Sequence, residues 1–531
     1  MKTRKGWSAL LIAAALMPAT FTGVAAQKPG GILKIQHMDM PPSPSIHEEA
    51  TVSTAVPFMA VFNNLVVYDQ NVARNTFESI RPDLATSWSW NGDGTKLNFK
   101  LRQGVKWHDG KPFTAKDVQC TFELLLGTGQ DKLRRNPRGA WYSNVEKVTA
   151  DGDFEATFHV KQRQPSLLAL LASGYTPIYP CHVPAADMRR KPIGTGPFKF
   201  VEMRMNENVR LAKNPDYWKP GRPYLDGIEY SIITDRSTRM LAFISGKFDM
   251  TFPTDVTVPL LHNIRKEAPH AQCTMRATGV NTNLIVNRDM PPFDDVRIRR
   301  AMALTLDRQS FIDILSEGQS KMGGAMLPPP EGVWGMPPEM VKTLFGYGDV
   351  AKNREQARTL MQQAGYGPDK RLKIKVSTRN IATFRDPAVI LIDQLRHIFI
   401  DGELEIIDTA VYYSRVFKKD YVVALNLTGS AVDDPDQNFF ENFGCGSLRN
   451  YNNYCDANMT KLFEAQSREI DFEKRQQMVW EIDRKLQEDI ARPIIAHNVA
   501  AGCWQPHVKG LTIMVNSIYN GWRFEDIWLD K

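Results

Sequence analysis

The sequence has 531 residues, of which 43% are hydrophobic and 24% are charged, and its formal net charge is +7. This is the composition of a globular protein that is too long for a single hydrophobic core, so two or three structural units are expected. The basic residues are interspersed with acidic ones, whereas nucleic-acid binding requires a concentrated basic face, so nucleic acid is not an expected partner.

The first 26 residues have the pattern of a secretory signal peptide. Lys2, Arg4 and Lys5 precede an apolar run over 9–17, and small residues end at Ala26. The run is too short to span a bilayer, so we expect cleavage after Ala26 rather than a retained membrane helix. Removal of 26 residues and three cations would leave 505 residues with a net charge of +4. No cysteine lies near the cleavage point, so a soluble periplasmic chain without a lipid anchor is expected.

In the first half of the chain, alternating strand patterns are interspersed with helical ones. Thr114 and Asp117 are placed to cap a helix that continues through Phe122 and Leu125. Strands are predicted at 30–36, 65–68, 97–101, 155–160, 198–202 and 228–234, and helical segments around 56–62, 166–172 and 239–245. This alternation predicts an α/β fold.

The second half predicts another sheet-based unit. A helix is predicted over 296–314, and a β-α-β unit over 372–377, 388–398 and 404–407. A charged amphipathic helix over 471–489 precedes a buried strand at 493–500. The final segment, 510–528, is rich in large apolar residues and is expected to pack on the first unit.

Six cysteines form an even set in a chain with a secretory signal, which favours disulfides. Cys445 and Cys455 bound a short loop rich in glycine and asparagine, and we predict that they pair. The pairing of Cys120, Cys181, Cys273 and Cys503 stays open, since six cysteines allow fifteen arrangements. Zinc ligation is not expected, because no C-x-x-C or H-x-x-x-H spacing occurs.

Several phrases resemble the extracytoplasmic solute-binding proteins of ABC importers, the family 5 that includes dipeptide, oligopeptide and nickel receptors. The matching phrases are RPDLATSW at 81–88, NGDGT at 91–95, LRQGVKWHDGKPFTAKDV at 101–118, GTGPF at 194–198, NPDYW at 214–218, FDDVR at 293–297 and LDR at 306–308. They span most of the chain after the signal peptide.

The resemblance implies a two-lobed α/β periplasmic-binding-protein fold with a hinged interlobe cleft. The expected first lobe is discontinuous, built from 27–68, 194–280 and 495–531, with an inserted subdomain at 69–193, and the second lobe is 281–494. The expected function is to capture a peptide or another small polar solute by lobe closure. A monomer would deliver it to an inner-membrane ABC permease and its ATPase, and no cofactor is expected.

Where family ligands lie, the resemblance implies two groups of pocket residues. These are Gly429, Ser430, Ala431 and Asp433 at a strand end, and Asn450, Tyr451 and Asn452 in a loop. In peptide-binding relatives an aspartate at the position of Ala431 pairs with the ligand ammonium. Its absence weakens the expectation of an ordinary peptide, although Asp433 is a candidate substitute.

Three further residues are candidate ligand contacts. Arg379 ends a predicted strand and is able to clamp a carboxylate in bidentate fashion, with a solvated surface arginine as the alternative. His497 lies on an apolar strand, where a hydrogen-bonded core histidine is the favoured alternative. His37 follows the first strand and is expected either to face the cleft or to cap its loop.

Catalytic function is not expected. His108 and Asp109 have the residue types of an acid-base pair, but they lie in a turn that matches the family phrase, and no G-x-S-x-G, H-E-x-x-H or P-loop pattern occurs. A secreted hydrolase is therefore a weak alternative. A receptor for a metal chelate of the nickel type is an alternative within the same fold, since a chelate requires few protein ligands.

Overall fold

A computed structural model describes residues 27–531. The predicted signal peptide, 1–26, and its cleavage point lie outside the described residues. Within 27–531, no helix has the length and apolar character needed to cross a membrane.

Seventeen strands occur in the described chain. They are β1 Ile32–His37, β2 Val66–Tyr68, β3 Ile80–Pro82, β4 Ala85–Trp90, β5 Lys96–Leu101, β6 Val145–Ala150, β7 Glu155–Val160, β8 Phe198–Arg204, β9 Asn208–Lys213, β10 Gly227–Ile232, β11 Gln272–Val286, β12 Leu372–Arg379, β13 Ile400–Ile407, β14 Val423–Gly429, β15 Ile494–Trp504, β16 Val508–Lys509 and β17 Trp528–Leu529.

Fifteen α-helices accompany these strands over residues 27–531. They are α1 Val52–Phe58, α2 Ala115–Leu126, α3 Leu167–Ala172, α4 Ala185–Met188, α5 Arg236–Ile244, α6 Val258–Glu267, α7 Val296–Leu304, α8 Arg308–Ser316, α9 Pro338–Val341, α10 Val350–Gln363, α11 Ala382–Arg396, α12 Thr409–Phe417, α13 Pro435–Asn442, α14 Ala457–Arg468 and α15 Phe472–Glu488.

Two helix predictions illustrate local control by capping. Thr114 and Asp117 form the predicted capping box at the start of α2. The single helix predicted over 296–314 is wrong, because it is broken into α7 and α8. Asp307 accepts a hydrogen bond from the amide of Ser310 and so starts a new helix.

The first lobe is organised around a four-stranded sheet in the order β1-β10-β9-β8. β1 pairs in parallel with β10, and the other neighbours are antiparallel. A separate antiparallel sheet, β4-β5-β7-β6, lies in the segment between β3 and β8. Both sheets share one hydrophobic core that includes Leu33, Phe99 and Trp141. Trp522 and Phe524 join this core, so the C-terminal segment packs against the same residues.

The second lobe contains a five-stranded sheet in the order β13-β12-β14-β11-β15. Its core includes Val376, Leu391 and Ile400, which come from the predicted β-α-β unit. β11 and β15 pair along most of their length and connect the two lobes: Cys273 and Cys503 pack with helices α5 and α6, whereas Leu284 and Ile495 belong to the second core.

All six cysteines are paired. The predicted bond between Cys445 and Cys455 is present, with Cα atoms 4.7 Å apart. Cys120 pairs with Cys181, and Cys273 on β11 pairs with Cys503 on β15. The last bond joins the two strands that connect the lobes.

Candidate functional site

A cavity of about 330 Å³ lies between the lobes. Met38, Thr51 and Ile518 line it from the first lobe, and Phe384 and Tyr413 from the second. The connecting strands add Thr278, Thr282 and Asn498. Neutral groups therefore dominate the lining, and we call this space the main cavity.

Arg379 lies at the wall of the main cavity and is paired across the lobes. Its side chain is 3% exposed, and its Nη2 donates to Oδ2 of Asp39 in the first lobe at 2.9 Å. Thr409 and Ser53 donate to the same Asp39 oxygen at 2.7 and 3.0 Å. The predicted surface alternative for Arg379 is thus not what the structure shows, since the guanidinium is buried and bridges the lobes.

His37 helps to fix Asp39. Its ring Nε2 lies 3.1 Å from the carbonyl oxygen of Ser53, and its Nδ1 accepts a hydrogen bond from the amide of Asp39, also at 3.1 Å. Burial lowers the pKa of His37 to about 4, so the ring is neutral with its proton on Nε2. His37 is not among the residues that line the main cavity. It orders the loop after β1, which was one of its two predicted roles.

A second ion pair crosses the lobes at a more exposed place. Arg236 Nη1 lies 3.3 Å from Oδ2 of Asp386, with side chains 21% and 48% exposed. Both residues line the main cavity. Asp386 is the only acid among the described lining residues, and it is already paired.

The predicted pocket residues 429–431, at the end of β14, interact mainly through their backbone atoms. Gly429 lines the cavity, and a Cβ there would lie 2.5 Å from the hydroxyl of Tyr519. The amide of Ser430 donates to the Gly279 carbonyl at 2.7 Å. Ala431 is buried, and its carbonyl accepts a hydrogen bond from Asn520 Nδ2 at 2.9 Å. The strand end is thus held against the first lobe.

Asp433 and His497 lie outside the residues that line the main cavity. Asp433 accepts a hydrogen bond from the amide of Val333 at 3.1 Å, and desolvation raises its pKa to about 7 although the side chain is partly exposed. His497 is buried, with Nε2 2.9 Å from the Gly324 carbonyl, and burial lowers its pKa to about 4. Its position agrees with the favoured core alternative.

The predicted loop contacts lie within the 445–455 disulfide loop. Asn450 Nδ2 donates to the carbonyls of Gly444, at 3.0 Å, and Tyr454, so its side chain folds the loop. Tyr451 is fully buried, and Oδ1 of Asn452 has no hydrogen-bond partner within residues 27–531. None of the three lines the main cavity.

His108 and Asp109 do not contact one another as a catalytic pair would. His108 Nε2 lies 3.0 Å from the carbonyl of Gly196 and its Nδ1 accepts from the amide of Gly194, while Asp109 contacts His182 at 2.7 Å. Hydrogen bonds therefore join the two family motifs at 101–118 and 194–198. Residues 27–531 contain no group of three or more His, Cys, Asp or Glu side chains placed to hold a metal ion.

Sequence reasoning missed most of the charged residues around the cleft. Asp39 follows a predicted strand without any motif, and Arg236 and Asp386 lie on helices where a solvated face is the ordinary expectation. Arg449 is buried and its Nη1 lies 2.5 Å from Glu441. It directly precedes the predicted Asn450–Asn452 loop, so its neighbourhood was identified although the residue was not. Arg138 is also buried, and nothing in the sequence distinguishes it from the nearby Arg134 and Arg135.

Residues 79–450 match the model of the bacterial extracellular solute-binding proteins, family 5, middle region. The chain belongs to this family. Di/tripeptide-binding protein 2 of Pseudomonas aeruginosa (strain UCBPP-PA14) is 25% identical over 465 residues, covering 81% of this chain and 84% of that protein. The family match over 79–450 includes strands of both lobes.

Solved structures of family 5 members share the fold. The periplasmic binding protein DppA from Helicobacter pylori, in complex with the peptide STSA, has a TM-score of 0.82 at 23% identity and covers 95% of this chain and 99% of its own. AgaA from A. tumefacien R10, in complex with agropinic acid, has a TM-score of 0.81 at 21% identity, covering 94% and 99%. One architecture thus holds a peptide in one protein and agropinic acid in the other.

Proposed function

We propose that this family 5 protein is the periplasmic receptor of an ABC importer and captures a small polar solute in the main cavity. The observation that carries the proposal is a cavity lined by both lobes, which the Arg379–Asp39 pair joins directly. Ligand stabilises a closed form only through contacts to both lobes, and this cavity offers both. The receptor then delivers its solute unchanged to an inner-membrane permease and its ATPase.

The size and charge of the cavity narrow the solute. A volume of about 330 Å³ is at the lower end of the range for small-molecule sites, roughly 300–1,000 Å³. A buried ammonium group needs an acidic partner, but Asp386 is paired with Arg236 and Asp39 with Arg379. With Ala431 at the family's ammonium-pairing position, the proposed solute is a small non-peptide molecule.

The lobe division follows the sequence. We propose that the first lobe comprises 27–68, 194–280 and 495–531 with the inserted subdomain 69–193, and that the second comprises 281–494. β1, β8, β9 and β10 fall in the first set and β4 to β7 in the insert, which supports these limits. β11 crosses the limit at 280, as a hinge strand would, whereas Ile495 and Ala496 of β15 pack in the second core, so the last boundary falls within β15 after 496.

The test is native mass spectrometry of protein isolated gently from the periplasmic fraction, followed by small-angle scattering with and without the molecule found. We expect a monomer lacking residues 1–26, one bound solute, and a smaller radius of gyration when loaded. Unchanged scattering across a broad metabolite mixture, together with turnover of peptide or ester substrates, would contradict the proposal.

A further inference from the structure

A buried cluster of charged and aromatic residues joins the lobes beside the main cavity. Arg138, 2% exposed, comes from the inserted segment of the first lobe, and Arg449 comes from the disulfide loop of the second. Trp141 Nε1 donates to Glu441, whose other oxygen lies 2.5 Å from Nη1 of Arg449. We define the arginine pocket as Arg138, Tyr175, Glu441, Arg449 and Tyr451.

Each pocket arginine is held by the protein on one side and lacks a partner on the other. Nη1 of Arg138 donates to the carbonyls of Ile46 and Glu49, at 3.3 and 2.8 Å. Its Nε and Nη2, the Nε of Arg449 and the hydroxyl of Tyr175 have no hydrogen-bond partner within residues 27–531. Buried polar groups are nearly always hydrogen-bonded in native proteins, so several orphans in one place indicate a binding site.

The charges of the pocket are also unbalanced. Glu441 is the only acid in the pocket as defined, against two arginines, and the buried Arg492 next to it adds a third cation. Arg492 binds only neutral acceptors: the carbonyls of Asn442 and Arg449 and the side-chain oxygen of Asn442. Desolvation lowers the pKa of Arg138 although Glu441 acts in the opposite direction, whereas the pKa of Arg449 is raised because Glu441 outweighs desolvation there. The uncompensated positive charge therefore lies on Arg138 and Arg492.

Two tyrosines connect the pocket to the main cavity. The Arg138 guanidinium lies over the ring of Tyr175, which in turn packs against Tyr519 with ring centroids 4.6 Å apart. Tyr519 lines the main cavity. The orphan donors thus lie behind the wall of the space proposed for the solute.

We propose that the arginine pocket binds an oxyanion, a carboxylate or a phosphate, of the solute whose neutral part occupies the main cavity. The proposal rests on the receptor function proposed above. Guanidinium groups donate paired hydrogen bonds that match the geometry of both oxyanions. Because Arg138 and Arg449 belong to different lobes, the anion contacts both only when the lobes meet, which couples recognition to closure.

The test uses matched pairs of small molecules: carboxylic acids with their primary amides, and phosphate monoesters with their alcohols. Thermal unfolding is followed at fixed ionic strength for the full mature chain. We expect one anion class to raise the Tm while its neutral partners do not, which also identifies the oxyanion. In Arg138→Gln the apparent Kd for that anion should rise about 10- to 100-fold, as loss of charge-assisted hydrogen bonds predicts.

Two variants separate binding from folding. Arg134→Gln makes the same chemical change four residues away, at an arginine that pairs with Glu49 and is 49% exposed, and should leave the anion's Kd unchanged. Tyr175→Phe removes a hydroxyl that has no partner in 27–531, so the unliganded Tm should hold while the anion's Kd rises roughly 10-fold. This variant keeps the test valid if Arg138→Gln does not fold.

The outcomes distinguish this proposal from the receptor function. If neutral members raise the Tm as much as their anionic partners, or if Tyr175→Phe and Arg138→Gln bind anions like the parent, the arginine pocket is not an anion site but the receptor stands. If no member of either kind changes the Tm and no solute is retained in native mass spectrometry, the receptor function itself fails, and this proposal with it.

Discussion

The main cavity and the arginine pocket lie side by side but differ in how their arginines are paired with acids. Around the main cavity Arg379 and Arg236 are each paired with an acid from the other lobe, although Nε and Nη2 of Arg236 have no partner within residues 27–531. In the arginine pocket Arg138 and Arg449 share a single acid, and several of their N–H groups lack partners within residues 27–531.

The difference separates two roles for buried arginine. The Arg379–Asp39 pair is satisfied across the lobes and stabilises the closed form whatever solute is present. A guanidinium with unsatisfied donors makes closure unfavourable until an anion supplies acceptors, because a desolvated charge without a partner is costly. We infer that the ion pairs around the main cavity hold the lobes together. The arginine pocket determines which solutes allow the lobes to close.

The largest expected effect, on the free energy of unfolding, comes from removing a disulfide. One disulfide lies in each region. Cys273–Cys503 joins the strands that line the main cavity and closes a sequence separation of 230 residues, so replacing both cysteines by alanine should lower the free energy of unfolding by about 5 kcal/mol. Cys445–Cys455 spans only 10 residues, and its loss should cost roughly 2–3 kcal/mol. Urea unfolding measures both.

The loss of anion affinity should rank the two disulfide variants in the opposite order to the loss of stability. The 445–455 loop carries Arg449 and Tyr451, so loosening it should weaken anion binding about 10-fold, by the loss of one well-placed hydrogen bond. The variant without Cys273–Cys503 should retain the anion preference at temperatures where it is folded. Equal loss of anion affinity in both would break the distinction between the regions.

The second prediction concerns Asp39. In Asp39→Asn the buried Arg379 loses its charge partner only when the lobes are closed, since opening exposes both groups to water. Closure should therefore become less favourable by about 2–3 kcal/mol, and the Kd of the retained solute should rise roughly 30- to 150-fold. Titration calorimetry measures the Kd, and scattering of the unliganded protein should show a larger radius of gyration.

Arg236→Gln is the matched control for Asp39→Asn. It removes the other pair between the lobes, whose members are more exposed, so closure should change by less than about 1 kcal/mol. A gain of affinity in Asp39→Asn would have a different meaning: Asp39 would then compete with the solute for Arg379, and the carboxylate clamp predicted for Arg379 from the sequence would be the better interpretation.

The fold could be predicted from the sequence more fully than the candidate site. Strand alternation and the family motifs predicted both sheets. The Thr114–Asp117 capping box, a local signal, predicted the helix at 115–126. The one predicted helix at 296–314 failed because a single residue, Asp307, supplies a competing N-cap that periodicity does not register.

The site depends on contacts that no local pattern encodes. Asp39 and Arg379 are 340 positions apart, and Trp141 and Glu441 are 300 apart. Arg138 and Arg134 are equivalent in sequence terms, but one is buried with free donors and the other is half exposed in an ion pair. Burial decides their roles, and burial follows from how the lobes meet.

The smallest expected effect belongs to Asp433, a residue of neither region. Desolvation raises its pKa from 3.8 to about 7, while the Val333 amide and Asn516 act in the opposite direction. The folded protein thus retains a proton between pH 4 and 7 that the unfolded chain has lost, so this residue makes the free energy of unfolding fall as the pH rises through that window. Asp433→Asn should remove this dependence.

In urea unfolding, Asp433→Asn should match the parent near pH 4 and be more stable at pH 8 by about 1–2 kcal/mol. This is less than the roughly 4 kcal/mol that three pKa units represent, because the side chain is partly exposed and water screens it. The introduced carboxamide keeps an oxygen that accepts from the Val333 amide, so solute and anion binding should not change. Loss of solute binding would instead make Asp433 the ammonium partner that replaces Ala431, and would move the recognition of the solute out of the arginine pocket.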